Sequence, residues 1–215
     1  MPENLLLYLL QLLFLVPAVL FSLSVHEAAH GLVADRLGDP TPRAAGRLSL
    51  NPLRHLDPIG AVAMLLFRIG WAKPVPINCR YFKNPKWGMA FTAMAGPLSN
   101  LLLATVAGFF YVLFTVLSPD GGALLYVALF FYLFHSLNIS LAIFNLIPIP
   151  PFDGSRLLFT FLPNRYYFGM MRYERYIQIA FFVFLALGLA DDFLSAVTEP
   201  LSNGILSLFF MIFSV

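Results

Sequence analysis

Residues 5–25 carry no formal charge over 21 positions, and the run ends on Val25-His26-Glu27-Ala28-Ala29-His30. About 20 apolar residues suffice to cross a bilayer as a helix. Hydrocarbon offers the backbone no hydrogen-bond partners, so a lone span of this kind has to be helical. The run has no basic start and continues helically into the histidines, so it reads as a retained span and not as a cleaved leader. On such a helix, His26 and His30 are four residues apart and project from one face, within reach of one ion. Glu27 is not set to be a third ligand. It is placed to take a proton from water that the ion activates, the division of labour in zinc hydrolases. The alternative is a solvated His/Glu cluster at a helix end. Against it stands the cost of ionisable groups at membrane depth, which makes them functional candidates by default.

With 60% hydrophobic and 11% charged residues, the chain is not a soluble domain. The reading is an all-α polytopic membrane protein of about five transmembrane helices, at residues 5–25, 88–117, 121–147, 177–190 with flanking apolar positions, and 201–215. Residues 58–67 are roughly half as long as a crossing needs at about 1.5 Å per residue, and read as a short re-entrant or interfacial helix. One integral-membrane domain covers 1–215, with a catalytic core at about 5–160 and C-terminal helices at about 165–215. The single cysteine, Cys79, excludes an internal disulfide and a multi-cysteine metal site.

The basic residues are better explained by topology than by nucleic-acid binding. Nine of the 13 Lys and Arg lie from Arg36 to Lys86, and the rest are Arg156, Arg165, Arg172 and Arg175. The N-terminus, residues 118–122 and residues 191–199 carry acids and no base. The positive-inside rule then puts both basic loops in the cytoplasm and the N-terminus outside. Residues 166–176, aromatic and arginine-rich, suit an interfacial belt at the cytoplasmic headgroups or, equally, part of a gate.

This topology sets the histidines at the cytoplasmic end of the first span and residues 148–155 at the cytoplasmic end of the third. A catalytic zinc usually has three protein ligands and an open position. The candidates for the third are Asp153, His55, His135 and Asp57. Prolines end the third span before Asp153, and Gly154 after it allows a tight turn. Its other reading is an N-cap for a helix starting near Ser155. His55 and Asp57 suit surface or capping roles, and His135 suits an internal hydrogen bond.

These residues, together with Gly46–Gly60, Gly70-Trp71-Ala72-Lys73-Pro74-Val75-Pro76, Ala95-Gly96-Pro97-Leu98-Ser99-Asn100 and the stretch Asn145–Gly154, resemble the site-2 protease family of intramembrane zinc metalloproteases. The resemblance covers residues 15–160 in consistent order. It implies one Zn2+ on His26, His30 and Asp153, Glu27 activating the water, and hydrolysis of peptide bonds in or next to transmembrane segments of protein substrates. The family usually has Leu where this chain has Phe152, a position that supplies bulk. No PDZ or CBS module is legible, so this resembles a compact form. Asn145, at the depth of Asp153, is a candidate oxyanion donor; its alternative is a tie to a neighbouring helix. Residues 47–50 and 73–78 are expected as extended pieces that pair with an unwound substrate. The expected setting is a lipid bilayer, with no nucleic acid, in a prokaryotic plasma membrane with the site near the cytoplasmic face. The competing readings are a membrane metal-ion transporter and a non-catalytic scaffold of the same fold.

Overall fold

The computed structural model describes residues 2–57, 73–118, 121–163, 173, 175–181, 183–184, 187–188 and 191–213, with the side chains of 2–12 and 191 excepted. The expected re-entrant piece at 58–67 and most of the belt at 166–176 lie outside these residues. Helix α1 (Pro2–Arg36) is followed by the short α2 (Thr41–Ala44). The long helices α3 (Pro85–Val116) and α4 (Ala123–Leu146) come next, then α5 (Asp153–Phe161) and α6 (Asp191–Ile212). Four helices are long and apolar enough to cross a membrane: Leu13–Arg36, Pro85–Val116, Ala123–Leu146 and Asp192–Ile212.

Helix α3 lies at the centre because its sequence lets neighbours come close. Gly88, Ala90, Ala93, Gly96, Ala104, Ala107 and Gly108 are buried along it. In lipid, small residues at interfaces drive association through close backbone packing, since burial from water contributes little. Gly121 and Gly122, at φ 83° and 99°, reverse the chain between α3 and α4 in a backbone region that favours glycine. At the far end, Phe110 and Phe114 stack on Phe131, and Phe109 meets Phe209 and Phe213.

Buried polar ties set the registers midway. His135 is fully buried, with Nδ1 2.8 Å from the Ala104 carbonyl and Nε2 2.9 Å from Ser202 Oγ. A carbonyl can only accept, so Nδ1–H donates to it and Nε2 accepts from the serine. This joins α3, α4 and α6 and makes His135 a structural residue. Asn138 donates to Ser22 Oγ at 2.9 Å and so ties α4 to α1.

Of the five expected spans, the one at 177–190 is not among the four candidate crossings found in the described residues. Phe181 and Phe184 precede the end of the expected span at 177–190, and Phe193 and Leu194 follow it. All four border one cavity with Leu146 and Ile147, so Phe181, Phe184, Phe193 and Leu194 share a level near the end of α4. Residues 182, 185–186 and 189–190 of that segment lie outside the described set. Helix α6 then begins at Asp191 rather than at 201, and residues 191–199 are its first turns instead of a connection on the opposite side. Helix α6 therefore runs antiparallel to α4. Nor do the expected extended pieces form strands: among the described residues there is none. Residues 73–78 are irregular and pinned by side chains, as described next.

Candidate metal centre

Three electron-rich atoms converge where α1, α3 and α5 meet. His26 Nε2 lies 3.0 Å from His30 Nε2. Asp153 Oδ2 lies 3.1 Å from the first and 3.2 Å from the second. Both histidines are buried. His30 Nδ1 donates to the Thr92 carbonyl at 2.7 Å, which leaves its Nε2 as a lone-pair donor. Asp153 Oδ2 is buried and forms no hydrogen bond. Three such atoms repel one another at this spacing unless a cation or proton lies among them. A tetrahedral zinc with ligands at about 2.0–2.1 Å would hold its donor atoms roughly 3.3–3.4 Å apart. The donor set and its edges therefore fit a zinc ion. Of the described residues, His26, His30 and Asp153 are the group of three able to hold a metal.

Glycines make the convergence possible. A Cβ on Gly96 would lie 2.5 Å from His26 Cε1 and from both Cε1 and Nε2 of His30, closer than real Cβ contacts. A Cβ on Gly154 would overlap the carbonyl oxygen of Leu146 and stand 2.8 Å from that of Ile147. Gly154 thus seats the start of α5 on the end of α4, and close approach, not a tight turn, is what it supplies. Asp153 is the first residue of α5 and not its cap, which is Phe152. Phe152 is buried, with its ring 4.5 Å from Phe144 and 5.0 Å from Phe181. Its bulk is packed between these rings, next in sequence to the aspartate.

The second notable contact was not legible in the sequence. Glu27 Oε2 accepts a 2.9 Å hydrogen bond from the backbone N–H of Val75. Pro74 and Pro76 flank that residue and have no N–H of their own. The segment is fixed on either side, with Lys73 N donating to the His55 carbonyl at 2.7 Å and Asn78 N to Asp39 Oδ2 at 2.7 Å. Asp39 is fully buried and also accepts from Thr41 N and Thr41 Oγ1. Gly31, one turn past Glu27, leaves room for Leu48, Pro42 and Val75 to close over α1. Gly31, directly after the histidine motif, was the available signal, but nothing in its position names the partners.

The other candidates fall elsewhere. His55 is buried and donates from Nε2 to the Ser49 carbonyl at 2.6 Å, which orders its own loop. Neither His55, Asp57 nor His135 joins the triad. Asn145 is half-buried, and its Nδ2 donates to the Leu141 carbonyl of its own helix at 2.9 Å. Cys79 is a free, half-buried thiol.

Four helices long and apolar enough to cross a membrane, with a His/His/Asp group able to hold a metal, define the class as an integral-membrane protein with a candidate metal centre. Residues 121–190 match peptidase family M50. The chain is 38% identical over 202 residues to a Bacillus subtilis protein named "Putative zinc metalloprotease YwhC", covering 93% of this chain and 92% of that one. It is 46% identical over 66 residues, 31% of each chain, to "Putative zinc metalloprotease MJ0611" of Methanocaldococcus jannaschii. It is 30% identical over 141 residues, 63% of this chain and 52% of the relative, to "Putative zinc metalloprotease Rip2" of Mycolicibacterium smegmatis. No solved structure matches. The chain belongs to peptidase family M50, the site-2 protease family.

Proposed function

We propose that this protein is an intramembrane zinc protease hydrolysing peptide bonds in or next to transmembrane segments, with His26, His30 and Asp153 holding one zinc. The observation that carries this reading is the triangle of ligand atoms with edges of 3.0–3.2 Å, one residue away from a tethered carboxylate. Zinc bound there supplies Lewis-acid activation of water and of the scissile carbonyl. Glu27 takes one proton from the attacking water and passes it to the leaving amide nitrogen as the carbon–oxygen bond forms and the carbon–nitrogen bond breaks. With Oε2 held by Val75, Oε1 is the oxygen left for that transfer. Asn145, released from the Leu141 carbonyl, is the residue we assign to donate to the developing oxyanion.

The described Lys and Arg from Arg36 to Lys86, and Arg156, lie in connections at the triad end or in the first turns leaving it, which supports a cytoplasmic site in a prokaryotic plasma membrane. Asp191 and Asp192 now share that end, but orientation follows Lys and Arg and not net charge. With four spans, the outside placement of the start of α1 extends to the end of α6.

The test uses the full chain in proteoliposomes with a transmembrane substrate. Chelation is expected to abolish cleavage, and one equivalent of zinc to restore it, with product ends mapping within or beside the apolar segment. Undiminished cleavage after complete metal removal would refute the reading.

The tether gives a second expectation. A hydrogen bond to a charged group contributes about 1.5–3 kcal/mol, so Val75→Pro is expected to lower kcat roughly 10–100-fold. Val75→Ala keeps the donor and most of the rate, and zinc content stays at one per chain in both. Equal kcat in the two variants would show that the hydrogen bond is idle.

A further inference from the structure

Away from the triad, a cleft of about 310 Å³ opens between the end of α1 and the start of α3. Arg36 and Lys83 stand on it, with Asn84 beside them and Phe82, Trp87 and Phe91 forming apolar wall. Neither cation pairs with a described carboxylate. Asn84 caps α3 by accepting from Trp87 N, so the positive end of that helix dipole faces the same space. Phe82 is buried against Gly88, which has no side chain to fill the groove. Trp87 and Phe91 are 43% and 56% exposed, and their rings sit 5.7 Å apart. The exposed face continues along α3 through Leu98, Leu102 and Val106.

We infer that this cleft binds one anionic phospholipid, with its phosphate between Arg36 and Lys83 and an acyl chain along Trp87 and Phe91. Two unpaired cations call for an anion. The aromatic wall and the apolar stripe below it call for a chain attached to that anion. A free phosphate would satisfy the first demand and leave the second unmet. Basic pockets between transmembrane helices are known to hold lipid headgroups, and tryptophan favours the headgroup level.

The test is native mass spectrometry of the full chain released from mild detergent, titrated with phosphatidylglycerol and with phosphatidylcholine. One phosphatidylglycerol is expected to be retained in preference. Each cation removed should weaken retention about fivefold, so Arg36→Ala/Lys83→Ala loses it nearly completely. Arg80 is exposed and off the cleft, so Arg80→Ala removes the same kind of charge and should leave retention unchanged. Circular dichroism and zinc content identify any variant that has lost its fold, in which case Lys83→Gln, which keeps a long polar side chain, decides by the same fivefold drop. Equal retention of phosphatidylcholine, equal loss in Arg80→Ala, unchanged retention in a folded cleft variant, or displacement by millimolar inorganic phosphate would each overturn the inference.

Discussion

Glu27→Gln is expected to cut kcat by about 10²–10⁴-fold while leaving one zinc per chain, because a positioned acid–base group contributes about that much. The amide is nearly isosteric and can still accept from Val75 N–H through its carbonyl oxygen, so the loop at 73–78 should stay in place. The paired measurements are turnover on a reconstituted transmembrane substrate and metal content by elemental analysis. They also separate the competing readings, since a transporter or a scaffold has no step that needs a proton acceptor at this position. Cleavage at the parental rate would remove Glu27 from the mechanism. Loss of zinc together with activity would instead make it part of the metal's support.

The next largest effect is expected at a residue with no chemistry. Gly96→Ala places a methyl 2.5 Å from the rings of both histidines. Buried rings packed against each other, with His30 fixed on the Thr92 carbonyl, cannot yield as a flexible side-chain tip would, so helix α3 has to move away. Overpacking of this kind costs about 1–3 kcal/mol. The separation it forces should also spread the ligand triangle, and zinc affinity is expected to fall by more than tenfold. The control is Gly204→Ala on α6, where a Cβ meets nothing within 4 Å. Removing backbone freedom there should leave stability unchanged or raise it by about 0.4–1 kcal/mol. Equal zinc binding and equal thermal stability in the two variants would contradict the packing argument.

How much could be read beforehand depended on the kind of physics involved. The spacing of His26 and His30 is a property of a single helix, and so it was legible. The expected spans at 88–117 and 121–147 sit within three residues of α3 and α4 at each end, since apolar length alone sets them. Asp153 was legible because prolines and a glycine mark where an apolar helix has to stop. The span expected at 177–190 is not among the candidate crossings of the described residues, and apolar composition does not distinguish a segment that crosses from one that turns back. That Phe181 and Phe193 border one cavity is a relation between distant residues that composition does not carry. The start of α6 was missed because Asp191, Asp192 and Glu199 read as a loop, although acids are favourable at a helix N-terminus. The contacts of Gly96, Gly31 and Val75 join residues distant in the chain, and no local pattern encodes them.

Four crossings, the number that the described helices offer, would have a practical corollary for experiment. The start of α1 and the end of α6 lie at the end of the bundle away from the histidines, where Phe14 meets Phe130 and Phe209 meets Phe109. Enzymatic reporters attached at either terminus should therefore light up in one and the same compartment, and neither would crowd the mouth through which water and peptide must arrive.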